Sequence, residues 1–229
     1  MTRTALVVGA SRGLGLGLAT ELYGRGWNVI GTARDLRKAE GLEQLAAGSG
    51  GRVVIESIDI DNPQDLEALA GKLNGRKLDL LLVNAGISGS QNPIERATDE
   101  DLLRVLHTNA IAPIRIAQRL LPQVVDGGKI AFMTSLMGSI TDNGSGGFDL
   151  YRISKASLNM LTRSFFATVA RDRDVAVLSL HPGWVRTDMG GPAAPLTVQE
   201  SVQGLAGVLE AKHGRKHLFL DYRGRELPW

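Results

Sequence analysis

The opening of the chain constrains its fold more than any other stretch. Thr4-Ala-Leu-Val-Val8 is a short aliphatic and β-branched run, glycines follow at 9, 13, 15 and 17, and Leu14, Leu18, Leu22 and Tyr23 then fall at helical spacing. The run reads as a buried strand and the spacing after it as a helix packed on that strand. A strand that enters a helix through a glycine turn opens a βαβ unit of the kind that binds nucleotides. The pattern Gly9-Ala-Ser-Arg-Gly13-Leu-Gly15 is G-x-x-x-G-x-G rather than G-x-G-x-x-G, but the physics is shared. Glycines let the backbone approach a pyrophosphate, and the helix start offers free N–H groups and a partial positive charge.

The rest of the chain repeats the alternation. Further strands are expected at Trp27–Thr32, Arg52–Ile58, Leu78–Asn84, Lys129–Thr134, Asp174–Leu180 and His217–Leu220. Helical patterns lie between them at Leu36–Ala47, Pro63 to about Leu73 with Asn62 as N-cap, Asp101–Val125 with a break at Pro113, Tyr151–Arg171, and Thr197–Leu209. Strict alternation with short connections predicts an α/β fold: a three-layer, Rossmann-type doubly wound parallel sheet of about seven strands with helices on both faces. Nothing divides the chain, so residues 1–229 read as a single domain. The longest irregular stretches, about 87–98, 136–149 and 184–196, all follow strands, on the side where open α/β sheets bind ligands.

Charge at the end of the second strand bears on the nucleotide. A carboxylate there bonds the ribose 2′-hydroxyl of NAD, whereas a cation accommodates a 2′-phosphate. Here the strand ends Gly31-Thr-Ala-Arg34, and Arg12 stands in the glycine turn. Guanidinium suits phosphate geometrically, so the two arginines point to NADP(H) rather than NAD(H). Asp35 takes the key place if the strand ends one residue later.

Tyr151-Arg-Ile-Ser-Lys155 is where chemistry is expected. Positions four apart share a helix face. A phenol titrates near ~10 and exchanges protons poorly at neutral pH, but an ammonium one turn away favours the phenolate. Ser135, at the end of the fifth strand, can stabilise an oxygen as charge develops on it.

Taken in order, Gly9-Ala-Ser-Arg-Gly-Leu-Gly15, Asp59, Asn84-Ala-Gly86, Asn109, Ser135, Tyr151-x-x-x-Lys155 and Pro182-Gly183 resemble the short-chain dehydrogenase/reductase family over essentially the whole chain. Tyr-Arg-Ile-Ser-Lys-Ala, His181-Pro-Gly-Trp-Val-Arg-Thr-Asp-Met-Gly-Gly-Pro192 and Leu227-Pro-Trp229 are similar to its small NADPH carbonyl reductases of the sniffer and C-factor type. The resemblance implies an NADPH-dependent reduction of a small or medium aldehyde or ketone to an alcohol, and the reverse. It implies that Tyr151 is the general acid, that Lys155 lowers its pKa and holds the nicotinamide ribose, and that Ser135 bonds the carbonyl oxygen. Asn109 is implied to help hold a water beside Lys155. Gly9, Ser11, Arg12, Gly13, Leu14 and Gly15 form the implied pyrophosphate turn, with Arg34 beside the adenosine. Asp59 and Ile60 are implied at the adenine, Asn84, Ala85 and Gly86 at the cofactor ribose, and Pro182, Gly183, Val185 and Thr187 at the nicotinamide. Two departures stand out. Val8 replaces the usual Thr before the first glycine, and the interval from Ser135 to Tyr151 is a few residues longer than usual. Ser139 is therefore a rival for the serine role if the glycine-rich piece Asn143-Gly-Ser-Gly-Gly147 keeps Ser135 from Tyr151. Leu136, Phe148 and Trp184, in the loops after strands, are candidates for an apolar substrate pocket.

Other functions are disfavoured. Basic and acidic residues nearly balance, 26 against 24, with no Lys/Arg run, so nucleic acid is not indicated. No cysteine is present, which removes disulfides, thiolate zinc sites and a cysteine nucleophile. Asp59 and Asp61 lack a matching ligand cluster, so no metal is expected. No apolar run approaches the ~20 residues of a membrane span, and the N-terminus does not read as a signal peptide. A cytoplasmic homo-oligomer, dimer or tetramer, acting on a small molecule is the expectation. The alternative is a protein of this fold that binds NADP(H) as a sensor and signals through a partner.

Overall fold

The computed structural model describes residues 2–229. Seven strands, β1 (Thr4–Val8), β2 (Asn28–Ala33), β3 (Val53–Ser57), β4 (Leu78–Val83), β5 (Val124–Met133), β6 (Ala176–His181) and β7 (His217–Asp221), form one parallel sheet in the order β3-β2-β1-β4-β5-β6-β7. The helices are α1 (Gly13–Gly24), α2 (Glu40–Ala47), α3 (Pro63–Lys72), α4 (Asp99–Leu106), α5 (Ala112–Leu120), α6 (Asp149–Ala167) and α7 (Val198–Glu210). The chain starts at the middle of the sheet, builds outward through β3, then returns past β1 to β4. That reversal opens a crevice at the carboxyl ends of β1 and β4, where such sheets take ligands.

Strand side chains alternate, and each set meets its own helices. Ala5, Val7, Leu80, Leu82, Leu178 and Leu180 pack under α1, α2 and α7. Leu6, Val8, Leu81, Val83, Phe132 and Val177 pack under α3, α5 and α6. Both faces are thus dry, which is why the strands read as continuous apolar runs.

Element types agree with the sequence reading, and the main differences have local causes. The helix expected over Asp101–Val125 is three pieces: α4, a π-turn at His107–Ile111, and α5. Thr98 starts α4 by accepting the Asp101 N–H at 3.1 Å, and Pro113 sits in the first turn of α5, where its missing N–H costs nothing. Val124 and Val125 belong to β5, whose register slips against β4 between Leu78 and Leu80. The helix expected to reach Arg171 ends at Ala167, and Ala170 turns into the core with its N–H on Phe165 O at 2.9 Å. Thr197 and Glu200 form a reciprocal capping box at the start of α7.

Candidate active site

The glycine turn is bound to the end of β4. Gly9 has φ +85°, and a Cβ there would stand 2.8 Å from Ala85. A Cβ on Gly15 would stand 1.9 Å from Gly9 O, so the first residues of α1 rest directly on the turn. Asn84 Nδ2 donates to Gly9 O at 2.8 Å, and the Asn84 and Ala85 N–H groups both donate to Val8 O at 3.0 Å. The hydroxyl that Val8 lacks comes from Thr32 on β2, which accepts the Gly9 N–H at 3.1 Å. No side chain caps α1, and Arg12 before it is extended, so the helix start keeps its N–H groups for a ligand. This uncapped start, set on a turn too tight for side chains, fits a dinucleotide pyrophosphate.

The other wall of the crevice follows β6. Thr187 lies beside Gly13, 3.7 Å from where its Cβ would be, and an ion pair between Arg12 and Asp188 spans the two walls. Pro182 O accepts from Ser201 Oγ of α7 at 2.7 Å, and Val185 bridges to Leu196, which closes the 184–196 loop on itself. At the β2 end the strand stops at Ala33, so Arg34 is the first residue beyond it and is exposed. The Asp35 carboxylate is engaged by the Arg37 side chain, Nε at 3.0 Å, which holds it below its usual range. Asp35 therefore serves its own turn and leaves the position after the strand to Arg34. Asp59 and Ile60 follow β3. Asp61, next to them, accepts from Thr108 Oγ1 at 2.7 Å and pairs with His107 Nδ1 at 2.9 Å, which ties this loop to the π-turn.

Tyr151 and Lys155 lie one turn apart on α6. Ser135 Oγ accepts the Met137 N–H at 3.1 Å and is near enough to the Tyr151 phenol to draw its pKa downward. The long interval between them is absorbed as a short 3₁₀ turn, Leu136–Gly138, laid flat on α6, with the glycine-rich piece looping outside it. A Cβ on Gly138 would stand 2.8 Å from the Lys155 carbonyl carbon, so this approach requires glycine. Ser139 is not the rival it could have been. Its hydroxyl donates to Trp229 O at 3.3 Å and accepts the Asp142 N–H at 3.1 Å.

The electrostatics differ from the sequence expectation. Tyr151 as a residue is half-buried, but its phenol end is enclosed, and burial pushes the pKa up to about 12, with the Ser135 bond acting the other way. Burial draws Lys155 down to about 8. Its Nζ donates to Met133 O at 2.9 Å and sits 5.5 Å from the Tyr151 ring centre. Burial outweighs the neighbouring ammonium, because the lysine is turned toward the Met133 carbonyl.

Asn109 lies in the π-turn, a feature frequent at functional sites. Its amide makes three of the four hydrogen bonds open to it: Nδ2 donates to Ile87 O (2.7 Å) and Ser154 Oγ (3.0 Å), and Oδ1 accepts the Ile87 N–H (2.8 Å). The side chain thus clamps the loop after β4 to α6, beside Lys155. Of the pocket candidates, Phe148 is held left-handed at φ 55° and Trp184 is 56% exposed, its indole N–H on Gly190 O at 2.8 Å. Leu136 is half-buried on the 3₁₀ turn. The sequence reading missed Thr32, Gly138, Ser154 and the Thr134–Asn159 bond (2.8 Å), which supports the turn after Ser135. Each is a single residue outside any periodic pattern. The interval from Ser135 to Tyr151, a few residues longer than usual, was the one available signal, and it pointed to the glycine-rich piece 143–147 rather than to Gly138.

Comparison with known proteins agrees with this geometry. The profile of the short chain dehydrogenase family matches residues 3–195. The chain is 39% identical over 169 residues to C-signal of Myxococcus xanthus, covering 72% of this chain and all of that protein. Among solved structures it is similar to a Burkholderia multivorans protein described as a short-chain dehydrogenase/reductase with bound NADP (TM-score 0.96, 44% identity, full coverage of both chains). It is also similar to carbonyl reductase Sniffer of D. melanogaster (TM-score 0.91, 31% identity, full coverage of both chains).

Proposed function

Because the chain belongs to the short-chain dehydrogenase/reductase family, we propose that it is an NADPH-dependent reductase of small or medium aldehydes and ketones, working reversibly. The observation that carries this reading is the meeting of Ser135, Tyr151 and Lys155 at the mouth of a crevice built for a dinucleotide. NADPH, when bound, supplies the hydride. At neutral pH the phenol carries its proton, as a donor to the carbonyl oxygen must, and Lys155 on the same helix face is the group that would ease its release. Ser135 Oγ, on the turn that faces Tyr151, would hold the same oxygen. Lys155 stands behind Tyr151 to return a proton to it, and Asn109 would help hold a water beside Lys155 through the lone pair its Oδ1 keeps free. Arg34 and Arg12 flank the 2′-phosphate position and select NADP(H). Phe148, Trp184 and Leu136 present apolar surface, which favours an apolar carbonyl substrate. Asp59, Ile60, Asn84, Ala85 and Gly86 line one side of the cofactor, and Pro182, Gly183, Val185 and Thr187 the other.

The test is NADPH oxidation, against NADH, with a panel of aldehydes, ketones and quinones. Wild type turns over at least one class with NADPH, and Tyr151→Phe binds NADPH with unchanged affinity while losing turnover. Full activity in Tyr151→Phe sinks the mechanism.

A second reading, an NADP(H)-binding signalling protein with little turnover, is favoured by one observation, the likeness to a protein named C-signal. NADPH binding without oxidation across the whole panel would select it. The proposal carries with it a cytoplasmic location and a homo-oligomer. Leu103 and Met160, each 67% exposed, border an apolar groove of about 860 Å³ with Ile111 and Leu161, and a second copy of this chain is the occupant proposed. Leu103→Glu converts that oligomer to monomer in light scattering, and an unchanged mass places the contact elsewhere.

A further inference from the structure

We propose that Trp229 is a positioning residue for carbonyl reduction: it straps down the root of the loop that joins Ser135 to Tyr151. The inference rests on the reductase reading above.

Residues 225–229 run back along β7. Asp221 N–H donates to Arg225 O at 2.9 Å, Leu227 N–H donates to Phe219 O at 2.8 Å, and Leu220 bridges Glu226 antiparallel. The Trp229 indole is anchored at the end of this return. It stacks on His217 (ring centres 4.6 Å apart) and tilts over Phe219 (5.2 Å), and the His217 ring stacks in turn on Phe166 of α6 (5.9 Å). Aromatic pairs at these separations add stabilisation beyond the area they bury.

The backbone of the same residue faces the active-site loop. Three donors converge on Trp229 O: Thr141 Oγ1 at 3.1 Å, the Thr141 N–H at 3.3 Å and Ser139 Oγ at 3.3 Å. All three come from the segment just past Gly138, which lies against Lys155. The far end of the loop is tied separately, by Arg152. Its Nε donates to Gly147 O at 2.8 Å and its Nη2 to Ser145 Oγ at 2.9 Å. Between the ties Ile140 is 81% exposed and glycines recur at 144, 146 and 147. A glycine-rich loop has little stiffness of its own. The two ties therefore set where its side chains stand over the site. A tryptophan that served only to cover Phe219 would leave its backbone oxygen to solvent. Here the indole grips β7 and α6 while the backbone oxygen grips the loop, so the residue couples these elements to the loop.

The test uses two variants that cut the strap on opposite sides. Trp229→Ala removes the anchor, and Ser139→Ala with Thr141→Val removes the side-chain donors. For each, NADPH affinity is read by nucleotide fluorescence, and kcat and KM are read for a series of carbonyls of increasing bulk. The expected result is NADPH affinity within about twofold of wild type and a KM for bulky carbonyls raised about tenfold in either variant, with no further loss when they are combined, since both cut one connection. Trp229→Phe, which keeps a stacking ring, restores most of the effect. A drop in melting temperature with unchanged KM and kcat overturns the proposal, and so do losses that multiply in the combined variant. Limited proteolysis separates this inference from the reductase reading. Cleavage within 142–148 accelerates in Trp229→Ala even if no carbonyl is ever turned over, and an unchanged cleavage rate overturns the strap alone.

Discussion

Replacing Gly138 by Ala tests how Ser135 and Tyr151 are brought together. The new Cβ would lie 2.8 Å from the Lys155 carbonyl carbon and 2.9 Å from Lys155 Cβ and O, whereas ordinary contact begins near 3.4 Å. The turn or the helix must therefore retreat by roughly 0.6 Å, because a closely packed interior has no slack to absorb the methyl. Ser135 moves with the turn, since its carbonyl accepts the Gly138 N–H (2.9 Å) and its hydroxyl accepts the Met137 N–H (3.1 Å). Overpacking of this kind costs about 1–3 kcal/mol. At roughly 2–4 °C per kcal/mol for a domain of this size, the melting temperature falls by some 2–12 °C. A misplacement near 1 Å costs about a hundredfold in rate, so the smaller shift here lowers kcat by roughly tenfold. The assay is NADPH absorbance for kcat, nucleotide fluorescence for affinity, and a thermal scan. Wild-type kcat and melting temperature in Gly138→Ala would refute the reasoning. So would a loss of NADPH affinity as large as the loss of kcat, which would move the damage to the cofactor side.

Two further outcomes follow from charge. Arg34→Ala and Arg12→Ala each weaken NADPH binding by about 10–100-fold and leave NADH binding nearly unchanged, as a lost charge-assisted phosphate contact requires; equal losses for both nucleotides would remove these arginines from the 2′-phosphate. At acid pH, His181 and His217 govern stability. Burial draws each down to about 4, against Asp221 in the case of His181 and with Arg163 acting the same way on His217. Their folded pKa values lie below the unfolded one, so between about 4 and 6.5 the unfolded chain takes up protons first. The stability they lend is complete above pH 6.5 and falls as pH drops toward 4, by roughly 2–4 kcal/mol together once solvent screening at His217 is discounted. Urea midpoints at pH 7 and 4.5 measure it, and a flat profile removes the two histidines as its cause.

The parts of this protein that repeat were legible in the sequence. β1, the glycine turn and α1 announce themselves through aliphatic run, small residues and helical spacing, and Asn62 and Thr197 mark helix starts by simple chemistry. Tyr151 and Lys155 were found because a helix places residues four apart together. What the sequence withheld depends on distant partners. The π-turn at 107–111 leaves no periodic trace, since a single extra residue in a helix looks like an ordinary amphipathic stretch broken near Pro113. Thr32 lies in a strand where threonine is common, and only its position below Gly9 gives it a role. The phenol's pKa was misjudged for the same reason: the spacing to Lys155 was correct, but the direction in which the ammonium points is set by Met133 O, on another element.

The return of residues 225–229 along β7 has a consequence for assembly. An outermost strand normally offers a row of unpaired N–H and C=O groups, on which another chain can add a strand. Here Asp221 N and Phe219 O are already taken by the molecule's own backbone. The opposite margin is β3, only five residues long. At the β7 border, therefore, the molecule's own return fills the place another chain's strand would take.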